Sequence, residues 1–118
     1  MTESTYRPIP GELVIAEEVI AELAGYAALE SYGVVGMAAP SVQDGFVKLL
    51  PMRRLQRGIV LRFGESGLAI ELHVLIKSGT NLAAVTQNLA QSVRYTLEHY
   101  AQIKVDDVLI HVEGIMKE

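Results

Sequence analysis

Residues 68–76, LAIELHVLI, constrain this chain more than any other stretch. Leu68, Ile70, Leu72, Val74 and Ile76 alternate with Ala69, Glu71, His73 and Leu75. Successive side chains of a strand point to opposite faces. One face of this strand is therefore wholly aliphatic, and the other, continued by Lys77, is mixed. A strand of this kind needs a cover on one side only, which is what helices packed on one face of a sheet provide.

The neighbouring run 58–63, GIVLRF, has the same β-branched and aliphatic character. Gly64-Glu65-Ser66-Gly67 between the two predicts a short glycine-containing hairpin. That link is too short for a dinucleotide fingerprint and lacks a Walker lysine. Two stretches supply the helical cover. In residues 16–31, Val19, Ile20, Leu23, Ala24 and Ala27 repeat at helical spacing, and Glu17 and Glu18 suit the positive end of the helix dipole. Ala24, Gly25, Ala27 and Ala28 give this helix a surface of small residues that a neighbouring backbone can approach. In residues 82–100 the stripe is Val85, Leu89, Val93, Leu97 and Tyr100, with Thr80 or Asn81 as N-cap. Gly33 suits the end of the first helix, because glycine takes the left-handed conformation cheaply.

Further strands are expected at 11–15, 34–38 and 105–115. In the last, Val108, Ile110 and Val112 share one face; Leu109, His111 and Glu113 share the other. The predicted order is β-α-β-β-β-α-β. The fold class is α/β (α+β): a two-layer sandwich of a mixed β-sheet with two long helices on one face. Residues 1–10, with Pro8 and Pro10, read as a flexible N-terminal tail. Residues 11–118 read as a single domain with a basic loop at 39–57.

Composition narrows the function classes. The chain has 118 residues, half of them apolar, which is enough to bury a core without staples. It contains no cysteine, which removes disulfide scaffolds, thiolate metal sites and cysteine nucleophiles. A net charge of −4 speaks against a general nucleic-acid binder. No apolar run approaches the ~20 residues of a membrane span, and the first residues do not read as a signal peptide. A soluble intracellular single domain is expected.

Three features compete as sites. The first is the open sheet face, with Arg62, Glu71, His73, Leu75, Leu109, His111 and Glu113. Histidines and carboxylates are metal ligands and acid–base groups, but the spacing lacks an HExxH-like pattern, and polar residues on an outward face are ordinary. The second is the segment 39–57. Lys48, Arg53, Arg54 and Arg57 stand there against one acid, a local charge of +3, which leaves −7 for the rest. These basics are interleaved with Phe46, Leu49, Leu50, Met52 and Leu55, and a short helix over 45–50 would gather Phe46, Leu49 and Leu50 ahead of Pro51. Such a strip suits an acidic partner or an anionic surface. The third is Gly33-Val34-Val35-Gly36, a match to the GxxG loop of nucleic-acid-binding KH domains. It has no basic neighbour, and the helix end explains Gly33 more simply. No GxSxG or SxxK nucleophile pattern is present.

Taken in order, GELVIAEEVIAELAGYAALESYGVVGMA, then GIVLRFGESGLAIELHVLIKSGTNL, then VTQNLAQSVRYTLEHYAQIKVDDVLIHVEGI resemble the alkaline shock protein family. This is the envelope stress response family of Gram-positive bacteria. The resemblance spans residues 11–116, and its strength lies in the order and spacing of several weak motifs, among them the Gly33–Met37 junction. It implies a small cytoplasmic protein without enzymatic activity, catalytic residues or cofactor, linked to envelope and general stress. It also implies self-association and scaffold-like interaction with a protein partner: a membrane-anchored relative, or a fatty acid kinase component. No nucleic acid and no direct membrane insertion are expected. Two positions depart from the family pattern. Lys77-Ser78 stands where an aromatic-glycine pair is common, and Ala101-Gln102 where Thr-Gly is common. A small-molecule or metal-binding module on the open sheet face is the rival reading, and a KH-like nucleic-acid binder a second.

Overall fold

The computed structural model describes residues 6–8, 14–38 and 58–117. In chain order the elements are β1 (Tyr6–Pro8), β2 (Val14–Ala16), α1 (Glu17–Glu30), β3 (Val34–Met37), β4 (Ile59–Phe63), β5 (Leu68–Lys77), α2 (Leu82–Tyr100) and β6 (Val105–Met116). The aliphatic alternation of residues 68–76 makes β5 the hub. β4 pairs antiparallel with Leu68–Leu72, and β3 pairs antiparallel with its far end, Val74 to Ile76. β6 pairs parallel with β5 along its whole length. Since β6 fills one edge of β5, β4 and β3 share the other, end to end. The sheet is mixed, and the parallel pair is joined by α2, the crossover that parallel strands require.

The core follows from the alternation. Leu68, Ile70, Leu72, Val74 and Ile76 are buried together with Ile20, Ala24 and Ala28 of α1 and with Val85, Leu89, Val93 and Leu97 of α2. Both helices therefore cover the same face, as expected. Burying each such aliphatic side chain contributes roughly 1.5–3 kcal/mol. The small residues Ala21, Ala24, Gly25 and Ala28 are buried where α1 meets its neighbours.

Local chemistry sets the ends of the elements. Asn81 caps α2, its side chain accepting from the Ala84 amide at 3.0 Å. Gly64–Gly67 closes the β4–β5 hairpin through a Gly64 amide to Gly67 carbonyl bond of 2.8 Å. Gly33 has φ +86°, and a Cβ there would lie 2.6 Å from Val85 Cγ2, so the position needs glycine on both counts. Gln102 has φ +58°, a left-handed conformation that costs a side-chain-bearing residue free energy. It stands where the resemblance has glycine.

Four details differ from expectation. Within the stretch read as a tail, Tyr6–Pro8 is a strand, paired antiparallel with β2. The α1 stripe centres on Ile20, Ala24 and Ala28, which turns Val19 outward to 47% exposure. Tyr100 is 68% exposed: the core stripe continues from Leu97 by four residues to Ala101, and Tyr100 falls a third of a turn away. On the sheet face away from the helices, His73 and Leu75 are buried rather than outward and open. Residues 39–57, including the short helix expected at 45–50, lie outside the described residues.

Candidate functional site

The parallel register of β5 and β6 opposes His73 to His111. Opposed residues stand on the same face, and the two imidazoles stack with ring centroids 4.4 Å apart and planes 5° from parallel. Glu71, two residues before His73, shares that face. Its Oε1 lies 3.3 Å from His111 Nε2 and 4.0 Å from His73 Nε2.

The pairing of β5 with β6 shifts between Val74 and Leu75, so that Glu113 of β6 is the extra residue between Val112 and Gly114. A bulge re-aims the side chain it carries. Glu113 Oε2 comes 2.6 Å from His73 Nδ1. The carboxylate accepts, so this contact places a proton on Nδ1.

Arg62 of β4 reaches over from the other edge of β5, and its Nη1 donates to Glu71 Oε2. That hydrogen bond holds the Glu71 carboxyl below its ordinary value of 4.5. Burial opposes the shift, while the positive charge of Arg62 and the nearby His111 support it.

Five of the seven sheet-face residues named from the sequence thus converge: Arg62, Glu71, His73, His111 and Glu113. Of the other two, Leu109 stands opposite Glu71 in the β5–β6 register, and Leu75 stands opposite Gly114. Leu75 is 2% exposed and so offers nothing to a docking partner, whereas Leu109 is 48% exposed. His111 Nε2 is buried and makes no hydrogen bond despite the 3.3 Å approach of Glu71. Phe46, Lys48, Arg53, Arg54 and Arg57 lie outside the described residues. The Gly33–Gly36 match runs from the turn after α1 into β3, not between two helices, so the KH comparison finds no counterpart there.

An exposed aromatic group at the end of α2 escaped the sequence reading. Tyr95 stacks on His99 at 4.9 Å, and Tyr100 stands edge-on to both. The i, i+4 spacing of Tyr95 and His99 was the available signal. No described helix is long and apolar enough to cross a membrane.

The family model of the alkaline shock proteins, described as having a "cell envelope-related function", matches residues 7–117. The chain belongs to the alkaline shock protein family. The resemblance read from the sequence therefore holds. Similar relatives include an uncharacterized protein of Bacillus subtilis, YloU, 34% identical over 106 residues, which cover 89% of this chain and 88% of YloU. Two uncharacterized Streptococcus pyogenes proteins also match. Spy1614 is 29% identical over 89% of this chain and 88% of its own length, and Spy1535 is 28% identical over 92% and 81%. No solved structure matches the chain. Membership in the alkaline shock protein family gives this chain a cell-envelope-related function.

Proposed function

We propose that this alkaline-shock-family chain is a non-enzymatic interaction module of the cell envelope, and that it self-associates by joining its β6 edge to that of a second copy. The supporting observation is β6 itself. It spans Val105–Met116, and among the described residues it pairs only with β5. Beyond Val105, whose amide donates to Glu98 Oε2 and whose carbonyl accepts from Arg94 Nη1, no described strand pairs with the other edge of β6, a template for another strand. The strand carries exposed apolar side chains, Leu109, Val112, Ile115 and Met116. A scaffold of this type would reach the cytoplasmic face of the membrane through a protein partner.

Sedimentation of the purified full chain at micromolar concentration tests the reading. A dimer is expected, and Leu109→Lys/Ile115→Lys, two exposed positions, should return it to monomer with an unchanged circular dichroism spectrum. A monomeric wild type, or a dimer indifferent to both lysines, sinks the edge-to-edge reading.

A further inference from the structure

The geometry points to a divalent transition-metal site on the sheet face away from the helices, with Glu71, His73 and His111 as ligands and Glu113 orienting His73. The three ligand atoms, one from each side chain, lie within 4.8 Å of one another. A tetrahedral zinc ion with bonds of about 2.0–2.1 Å holds its ligands about 3.3 Å apart. The separation of Glu71 Oε1 and His111 Nε2 is already 3.3 Å, and that of Glu71 Oε1 and His73 Nε2 is 4.0 Å. Because the stacked rings are nearly parallel, their in-plane lone pairs do not converge as they stand, and both imidazoles must turn out of the stack to address one ion.

Three observations favour a cation over a plain polar cluster. First, with Glu113 on Nδ1 of His73, Nε2 is the nitrogen turned towards the Glu71 carboxylate. Second, His111 Nε2 is buried without a hydrogen bond beside the same carboxylate oxygen, although buried nitrogens are ordinarily satisfied. Third, the carboxylate–histidine pair is the arrangement that fixes the tautomer and ring orientation of a metal-bound histidine. The carboxylates agree: Glu71 and Glu113 outnumber the one cation, Arg62, beside them. Arg62 occupies Glu71 Oε2 and leaves Oε1 for the metal. Two imidazoles and one carboxylate suit zinc, nickel or copper rather than magnesium or calcium. Three protein ligands leave a fourth position for water or a partner's side chain.

Calorimetric titration of the full chain with zinc chloride in a non-chelating buffer at neutral pH tests this. One zinc ion per chain is expected. His111→Ala and Glu71→Gln should each weaken binding at least tenfold, and Glu113→Gln by about 10–100-fold through the orienting hydrogen bond. His99→Ala, at the exposed aromatic group of α2, should leave it unchanged. His111 and Glu71 sit at partly exposed positions, and circular dichroism checks that each variant folds. Imidazole nitrogen NMR provides the second readout: zinc should shift Nε2 of both rings while the Nδ1 proton of His73 remains. Absence of stoichiometric binding, binding that survives His111→Ala, or binding abolished by His99→Ala overturns the site and leaves a proton-linked polar cluster in its place.

Discussion

The two faces of β5 are built by different physics. On the helix side, Leu68, Ile70, Leu72, Val74 and Ile76 are sealed by two helices, and apolar burial does the stabilising. On the other side, Glu71 and His73 stand among Arg62, His111 and Glu113, held by hydrogen bonds and charge. Leu75 belongs to this second face and yet is as buried as the residues opposite. One face is insensitive to pH and tolerant of its neighbours' identity as long as volume is kept. The other depends on particular atoms at particular distances.

Truncation separates the faces most strongly. Leu72→Ala should cost about 2–5 kcal/mol in denaturant unfolding, since it opens a cavity beneath both helices. Leu75→Ala should cost less, near the lower end of that range. Its opposed neighbours are Gly36 on β3 and Gly114 on β6, which bring no side chain against it. An equal or larger loss at Leu75 would show that the second face holds an apolar core of its own.

Gln102→Gly bears on how β6 is delivered to both faces. Gln102 holds φ +58° in the turn between α2 and β6, so glycine should raise stability by up to about 1 kcal/mol and the melting temperature by a few degrees. A loss would mean that the Gln102 side chain contributes more than the strain it carries.

The smallest effect is electrostatic and belongs to the second face alone. Arg62 lowers the Glu71 pKa below 4.5, so their pairing contributes stability at pH above that value and loses it as pH falls through the folded value. Arg62→Ala should therefore be slightly less stable than wild type at neutral pH, and the two curves should converge in acid. The pair is partly exposed, so a small difference is expected. A gap that persists unchanged in acid would assign the role of Arg62 to packing instead.

The sequence was most legible where the signal is local. Period-two alternation assigned β5 and its two faces, helical spacing with Thr80 or Asn81 as cap assigned α2, and paired glycines assigned the β4–β5 hairpin. It was less legible where a position depends on rotation about a helix or on what lies across the sheet. Val19 and Tyr100 fit a stripe on paper but fall outside the contact surface of the folded helices. The burial of His73 and Leu75 could not follow from alternation, which gives the face and not its cover.

By itself, the sequence determined the elements other than β1, the one-sided core, the family and the set of polar residues sharing a face, because those depend on periodicity and order along the chain. Only the tertiary structure decided that His73 meets His111 and that Glu113 turns onto His73. Those contacts join residues 38 and 40 positions apart. They rest on the register of a parallel strand pair and on one bulge, and a shift of a single residue would send His111 to the opposite face.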